Sequence, residues 1–192
     1  MTGLIILAAG PSSRLGLPKQ NLIYKGQTLL QRAVDEAIAS VCHPIIVVLG
    51  ANAEAIRPTV LDKPISIIYN PDWQEGMASS IRLGILGLQN IDPEISAVVL
   101  MLCDQPFVNS QLIDQLIEIN SKKGIVASAY NETAGVPILF EANYFYELLS
   151  LNGQEGAKKL LVKYEGDLIT VPFLLGSIDI DTVDDFEKLL KE

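Results

Sequence analysis

Short, unbroken runs of Ile, Leu and Val recur along the first half of the chain, and a segment with helical periodicity follows each of them. The runs occupy residues 3–8, 44–49, 65–69 and 97–102. A continuous apolar run is typical of a strand covered on both faces, and strands that alternate with helices usually form a parallel sheet. The pattern therefore predicts an α/β fold with helices on both faces of a mostly parallel sheet.

Helices are predicted between these runs. The first is expected to bury a stripe formed by Leu30, Ala33, Ala37 and Val41. The second, near residues 52–61, contains Pro58, which predicts an early break. A third is expected over 76–88, and a fourth begins after Asn109, a typical N-cap residue.

The alternation of strands and helices stops after residue 123, where two strand-like segments follow each other directly. Residues 125–130 and 136–140, joined by a short polar segment, predict an antiparallel excursion. The elements expected beyond it are helices at 142–149 and 157–164 and strands at 168–173 and 177–180. Thr182 and Asp185 have capping-box spacing and mark the start of the last helix. With 192 residues, 49% of them hydrophobic, we expect one domain, residues 1–192, with a full core.

Charge is unevenly distributed along the chain. The sequence has 14 Lys and Arg residues against 23 Asp and Glu residues, and the net charge of −9 argues against nucleic acid as a partner. Residues 1–34 nevertheless contain basic residues and no acidic one. Two interpretations stay open, because this segment either gathers an anion or is basic by chance.

The cysteine and histidine content limits the chemistry. Cys42 and Cys103 lie far apart, and the only histidine is His43, so a zinc cage and a His-dependent triad are excluded. The apolar run near the N-terminus has no basic residue before it and resembles neither a secretory signal nor a membrane span. We therefore expect a cytoplasmic protein, without a membrane partner, whose chemistry uses carboxylates, cations or hydroxyls.

The segment LAAGPSSRLGLPKQ, residues 7–20, directly follows the first predicted strand. Ligands bind at this edge of a parallel sheet, and glycines such as Gly10 and Gly16 let backbone amides approach a phosphate. Arg14 and Lys19 add positive charge, and Lys19 is expected to be exposed. The segment is neither a P-loop nor a GxGxxG motif. The alternative is an ordinary loop, but loops at such positions usually have about 2 to 6 residues.

This segment resembles the signature loop of the MobA/MocA-like nucleotidyltransferases, most closely that of the molybdenum cofactor cytidylyltransferase branch. Three further segments are similar to motifs of the family in the same order, namely NPDWQEGMASSIRLG at 70–84, LCDQP at 102–106 and DIDTVDD at 179–185. The resemblance implies a Rossmann-like three-layer α/β/α fold, in which the mostly parallel sheet has one antiparallel strand.

The resemblance also implies a set of site residues. Those expected to bind the nucleotide are Leu7, Ala8, Ala9, Gly10, Arg14, Lys19, Ser79, Ser80 and Arg82. Lys19, Arg14 and Asp104 are implied to be catalytic, and Asp104 and Asp179 to bind Mg²⁺, an ion that prefers oxygen ligands. Asp181 is close enough to compete with Asp179, or it caps the last helix. Serine is common at helix starts, so the two serines also have an ordinary structural interpretation.

The implied reaction transfers a nucleoside monophosphate from an NTP to the phosphate of molybdopterin or its molybdenum form, with release of pyrophosphate. CTP is expected, because the guanylyl branch of the family carries glycine where this chain has Ala9. The expected protein partner is a molybdenum hydroxylase or its maturation factor. Two alternatives stay open, namely a sugar- or alditol-phosphate nucleotidyltransferase and a non-catalytic cofactor carrier.

The chain departs from the family pattern on the acceptor side. Val136, Gln154 and Lys158 stand where the family usually carries His, Asp and Arg. Cys103 is interpreted as a buried packing residue, because no base accompanies it. Trp73 either stacks on a ring of the substrate or packs against the sheet.

Overall fold

The apolar runs form neighbouring strands in a computed structural model of the chain, which describes residues 1–119 and 124–191. The strands are β1 (Thr2–Ala8), β2 (Ile23–Tyr24), β3 (Gln27–Thr28), β4 (Ile45–Leu49), β5 (Ser66–Tyr69), β6 (Ala97–Leu102), β7 (Ile125–Tyr130), β8 (Thr133–Glu141) and β9 (Leu168–Pro172). The main sheet has seven strands in the order β5-β4-β1-β6-β8-β7-β9, and β2 and β3 form a separate hairpin. Because β8 alone in the main sheet runs antiparallel to its neighbours, the predicted topology is confirmed.

Helices cover both faces of the sheet. They are α1 (Leu29–Ala39), α2 (Ala53–Ile56), α3 (Met77–Ile91), α4 (Ser110–Ile119), α5 (Phe145–Leu149), α6 (Lys158–Lys163) and α7 (Val183–Leu189). Buried residues of α1 and α4 pack on one face, and those of α3, α5 and α6 pack on the other. Helix α3 lies close to the sheet, since a Cβ at Gly84 would be 2.8 Å from Ile5 Cγ2. None of the helices in the described residues has the length and apolar character of a membrane span.

Several predicted boundaries need correction. Val41 is 68% exposed, because α1 ends at Ala39 and the chain becomes extended at Ser40. The segment predicted as a strand at 177–180 is not one. It follows a 3₁₀ turn, Leu174–Ser177, which precedes α7.

Other local predictions are confirmed. Asn109 caps α4 by accepting a hydrogen bond from Leu112 N (2.9 Å), and Thr182 forms a capping box with Asp185. Helix α2 ends at Ile56, where a 3₁₀ turn containing Pro58 takes over.

The sheet register brings distant segments to one edge. Leu7 of β1 pairs with Leu102 of β6, so the residues that follow each strand emerge side by side. Ile180 N donates a 3.0 Å hydrogen bond to the Asp104 carbonyl, which holds the segment before α7 across the same edge. This edge carries the candidate site.

Candidate functional site

A cavity of about 540 Å³ opens at the carboxyl edge of β1 and β6. One end, here called the charged end, consists of Lys19 and Asp104 with Arg14 and Asp181 beside them. The uncharged part of the lining, here called the neutral end, is formed by Trp73, Gln74, Met77, Ser80 and Gln154. Trp73 lies against Gly50, which follows β4, whereas Asp104 follows β6, so the neutral end and the charged end lie on different sides of β1 in the sheet order. The predicted residues Leu7, Ala8, Ala9 and Gly10 line the cavity between the two ends. The cavity therefore combines ionic and uncharged surfaces.

The loop after β1 is held by its own side chains. Gln20 is buried, and its Nε2 donates hydrogen bonds to the carbonyls of Ala8 (2.8 Å) and Gly10 (3.2 Å). Ser12 Oγ accepts a 3.0 Å hydrogen bond from Lys19 N. Sequence reasoning missed Gln20 and Ser12, although a polar residue next to a predicted phosphate-binding lysine was the available signal. These bonds fix the start of the loop and the position of Lys19.

Lys19 links two carboxylates that are distant in sequence. Its Nζ lies 2.5 Å from Asp104 Oδ2 and 2.9 Å from Asp181 Oδ1, and Arg14 Nη2 lies 3.0 Å from Asp181 Oδ2. Burial lowers the pKa of Lys19, but the charge of Asp104 and the hydrogen bonds to both carboxylates outweigh burial and raise it above its usual value. Lys19 is therefore a permanent cation at physiological pH.

The expectation that Lys19 is exposed is wrong. Its side chain is only 18% exposed, because it reaches inward to the Asp104 carboxylate, which is itself 7% exposed. Arg14, by contrast, is 69% exposed, as expected of a loop cation. The two predicted cations therefore differ in their environments.

The two carboxylates of the charged end, Asp104 and Asp181, and their neighbour Asp179 differ in their hydrogen bonds and in the charges around them. Asp104 Oδ1 is buried and has no hydrogen-bond partner among the described residues. Burial and the charges of Asp104 and Asp181 raise the pKa of Asp179. The hydrogen bond from Lys19 lowers the pKa of Asp181 in spite of burial, and Arg14 contributes in the same direction. Negative charge is therefore in excess around Asp104 and Asp179.

This arrangement fits a divalent cation. An orphan carboxylate oxygen beside an uncompensated carboxylate suits a hard ion that takes oxygen ligands. Within the described residues, no group of three or more His, Cys, Asp or Glu side chains is placed to hold a metal ion. Mg²⁺ commonly binds through one or two carboxylates and takes its other ligands from water and substrate phosphates. The residues present match that pattern.

The predicted residues of α3 do not all reach the cavity. Ser80 lines it, and Ser79 is buried beside it, where its hydroxyl accepts a 2.8 Å hydrogen bond from Asn70 Nδ2. Arg82 forms a bidentate ion pair with Glu75, in which Nη1 lies 2.8 Å from Oε1 and Nη2 lies 2.6 Å from Oε2. Arg82 does not line the cavity. At the start of α3, Ala78 N donates a 3.2 Å hydrogen bond to the Gly153 carbonyl.

A second cavity, of about 230 Å³, adjoins the charged end and shares Leu102 and Asp104 with the first. Val136 and Asp179 line it, together with Gln105, Tyr130, Asn131, Thr133, Gly176 and Ser177. Asp104 therefore stands between two adjoining cavities.

Cys103, the neighbour of Asp104, is buried. Burial, with a smaller contribution from the charge of Asp104, raises the pKa of its thiol to about 12. The interpretation of Cys103 as a packing residue is supported. What the site offers chemically is therefore cations and carboxylates for a polyphosphate, rather than a protein nucleophile.

Comparison with known proteins gives matches that extend over most of this chain. The family described as the MobA-like NTP transferase domain matches residues 4–168. Nicotine blue oxidoreductase of Paenarthrobacter nicotinovorans is 30% identical over 97% of this chain and 95% of its own length. Molybdenum cofactor cytidylyltransferase of Escherichia coli is 25% identical over 95% of this chain and 92% of its own length.

Among solved structures, Rv0371c of Mycobacterium tuberculosis superposes with a TM-score of 0.88 and 31% identity, covering 100% of this chain and 97% of that one. A manganese complex of the same protein superposes with a TM-score of 0.84 and 28% identity, covering 100% and 98% of the two chains.

Proposed function

Because the chain belongs to the MobA-like NTP transferase domain family, we propose that it transfers a nucleotidyl group from CTP to the phosphate of a molybdopterin-type acceptor. The similarity to a molybdenum cofactor cytidylyltransferase over 95% of the chain supports this substrate pair. The observation that carries the proposal is the convergence of Lys19 and Arg14 with buried Asp104 at one end of a cavity large enough for a nucleotide.

The chain's own residues would bind and orient the reactants. Lys19 and Arg14 would bind the triphosphate and neutralise charge on the leaving pyrophosphate, and amides near Gly10 would approach the phosphates. Asp104 and a carboxylate of the 179–181 segment would hold Mg²⁺. That ion, when bound, polarises phosphoryl oxygens and offsets their charge. No protein nucleophile is required, since the acceptor phosphate attacks the α-phosphorus directly.

Two side chains compete for the role of second metal ligand. Asp179 is supported by its uncompensated charge, which a cation would neutralise. Asp181 is supported by position, because Lys19 Nζ contacts both carboxylates and so shows that Asp181 lies close to Asp104. Asp179→Asn and Asp181→Asn separate the two roles. The variant of the residue that binds the metal should need a higher Mg²⁺ concentration to reach its half-maximal rate.

The preference for CTP is proposed to depend on Ala9. The residue is buried, at 7% exposure, and lines the cavity, so its methyl group would crowd a purine more than a pyrimidine. Ala9→Gly should therefore improve GTP relative to CTP. Tighter Mg²⁺-dependent binding of GTP than of CTP by the unmodified protein would overturn this part of the proposal.

The function is tested by measuring pyrophosphate release with each of four NTPs, with and without Mg²⁺ and molybdopterin. The proposal requires release that depends on CTP, Mg²⁺ and acceptor together. Release with sugar or alditol phosphates instead would identify the other nucleotidyltransferase class. Nucleotide binding without any release would indicate a cofactor carrier. The dinucleotide product is proposed to pass, in the cytoplasm, to a molybdenum hydroxylase or its maturation factor.

A second candidate function is an oxidoreductase, favoured by the 30% identity to nicotine blue oxidoreductase. The loop after β1 has no GxGxxG motif, which lowers the weight of dinucleotide-dependent hydride transfer. Oxidation of NADH or NADPH with nicotine blue as acceptor, followed at the nicotinamide absorbance, tests this alternative. Turnover there without pyrophosphate release in the first assay would replace the proposed function.

A further inference from the structure

We propose that Gln154 reads the hydrogen-bonding edge of the nucleobase, and that Glu75 and Arg82 are positioning residues that hold Gln154 in the cavity wall. This inference rests on the proposed function, because it concerns the base of the transferred nucleotide. It gives Arg82 a role other than the nucleotide contact that the sequence predicts. Contacts between α3 and the segment 151–154 place Gln154.

Arg82 and Glu75 tie this segment to α3. Arg82 bonds both Glu75 oxygens and also donates a 2.7 Å hydrogen bond to the Leu151 carbonyl. Glu75 Oε1 in turn accepts a 3.2 Å hydrogen bond from Gly153 N. Two backbone groups of the segment are thus bound by one ion pair. We call this set of contacts the clamp, formed by Glu75, Arg82, Leu151 and Gly153.

The backbone at the start of α3 completes the attachment. Ala78 N donates to the Gly153 carbonyl at 3.2 Å. Gly76 has φ +127°, and a Cβ there would collide with the Gly153 carbonyl and lie 2.9 Å from Gln154 Cδ. A glycine is therefore required at position 76, both for its backbone angle and for this close approach. The Gln154 side chain lies directly over Gly76.

The Gln154 amide is placed as a ligand-binding group. Its side chain is exposed, lines the cavity together with Trp73, and makes no hydrogen bond to other described residues. The backbone just before Gln154 is held at the Leu151 carbonyl and at the Gly153 N–H and carbonyl. The segment therefore loses little further freedom when the Gln154 side chain binds a ligand, so the amide is preorganised.

The charge distribution of the cavity indicates which part of the nucleotide meets Gln154. Phosphates bind at Lys19 and Arg14, and the base must then extend away from the charged end. The neutral end offers what a base requires, namely the Trp73 ring for stacking and an amide for its polar edge. A nucleotide bound in this direction places its base against Gln154. This differs from the sequence-based expectation, which put Gln154 on the acceptor side with Val136, because Gln154 lines the first cavity and Val136 the second.

The chemistry of the amide yields a directional test. On cytosine, the N4 amino donor lies next to the N3 acceptor, and glutamine can satisfy both groups. A carboxylate only accepts, so it loses the contact with N3 and repels that lone pair. Guanine presents two donors side by side, N1–H and the N2 amino group, which suit a carboxylate. Gln154→Glu should therefore weaken CTP and strengthen GTP.

The experiment is titration of CTP and GTP, with Mg²⁺, into the full chain and the Q154E variant, paired with pyrophosphate release for each nucleotide. We expect the CTP-to-GTP affinity ratio to fall by about tenfold or more, with an unchanged melting temperature. Gln111→Glu is the matched control, because Gln111 is exposed on α4 and lines none of the cavities described here. An unchanged ratio in Q154E, or a change confined to the KM of the acceptor, overturns the proposal.

Arg82→Lys tests the clamp, because lysine keeps the charge but cannot bond both oxygens of Glu75. We expect the same loss of base selectivity with a nearly unchanged kcat, and little further loss when Q154A is added to R82K. Additive effects, or a lower melting temperature with normal selectivity, would show that the clamp is merely structural. If the unmodified chain releases no pyrophosphate, the proposed function fails. If it does so and only the selectivity tests fail, this inference alone is wrong.

Discussion

The two ends of the cavity are built on different principles. At the charged end, Lys19 forms direct ion pairs with side chains that lie 85 and 162 positions away from it in sequence. At the neutral end, the Gln154 side chain makes no hydrogen bond to other described residues, and the clamp holds the backbone of Leu151 and Gly153 just before it. Phosphates are common to all nucleotides, whereas bases differ. The charged end is therefore suited to the transfer reaction and the neutral end to selection of the nucleotide. Substitutions at the charged end should change the rate of pyrophosphate release, and substitutions at the neutral end should change the CTP-to-GTP affinity ratio.

The largest effect is expected for Asp104→Asn. A carboxylate that helps hold a metal ion accounts for several kcal/mol of transition-state stabilisation, so the rate of pyrophosphate release should fall by about a thousandfold or more. Asp179→Asn should also lower the rate, and the double variant should lose little beyond the worse single one. Fully additive losses, or an Asp179→Asn protein with normal Mg²⁺ dependence, would exclude Asp179 as a ligand and favour Asp181.

Lys19→Ala should be next in size. Loss of a phosphate contact costs about 2 to 4 kcal/mol, or about 30- to 1000-fold in rate. Because the Lys19 side chain is only 18% exposed and compensates buried Asp104, the melting temperature should fall as well. Lys25→Ala is the control, since Lys25 is an exposed cation of the same segment. A melting temperature equal to that of the control would contradict the ion pair.

A smaller, pH-dependent effect separates the two carboxylates of the 179–181 segment. The pKa of Asp179 is raised above 3.8, so ionising this carboxyl costs more free energy in the folded protein than in the unfolded one. The folded protein is therefore destabilised as pH rises from the unfolded-state pKa through the folded-state pKa. Asp179→Asn should stabilise the metal-free protein at pH 7, and the gain should vanish below about pH 4. Melting curves across this pH range measure it.

Asp181→Asn is the counterpart in the same experiment. The hydrogen bond from Lys19 lowers the pKa of Asp181, so its contribution is stabilising above the unfolded-state pKa and is lost as pH falls through the lower folded value. The variant should therefore be less stable than the unmodified protein at pH 7. Equal signs for the two variants would contradict the assigned charge environments.

The smallest effect is expected at Cys103, which lies at the charged end without taking part in its chemistry. With a thiol pKa of about 12, Cys103 should resist alkylation by iodoacetamide at pH 8 in the folded protein and react after denaturation. Cys103→Ala should leave the rate of pyrophosphate release within about twofold, because no ionic contact is lost. Rapid labelling of the folded chain at this residue would contradict its burial.

Sequence reasoning predicted the fold better than the site. Unbroken apolar runs fix strand positions because a doubly covered strand needs apolar residues on both faces, and the strand β8 reversed as expected. The segment 177–180 was wrongly predicted as a strand, since SIDI alternates in polarity although it lies in no sheet. Local alternation does not reveal whether a partner strand is available.

Within the site, sequence reasoning identified side chains but not their partners. Lys19, Asp104 and Asp181 were all singled out, yet their linkage depends on contacts across 85 and 162 positions. Arg82 was predicted to touch the nucleotide, whereas the structure pairs it with Glu75 and the Leu151 carbonyl. Such pairings arise from the packing of α3 against a later loop, which no local pattern encodes.

The most direct test of the division between the two ends uses CTP that carries a radioactive label at either the α- or the γ-phosphate, and follows where each label goes. Incubation with Mg²⁺ and molybdopterin should transfer α-label to the acceptor and release γ-label as pyrophosphate, and Asp104→Asn should abolish both. Q154E should retain both steps once CTP is saturating, because it changes selection and not chemistry. Transfer of γ-label to the acceptor, or unchanged transfer by the Asp104→Asn protein, would contradict the account.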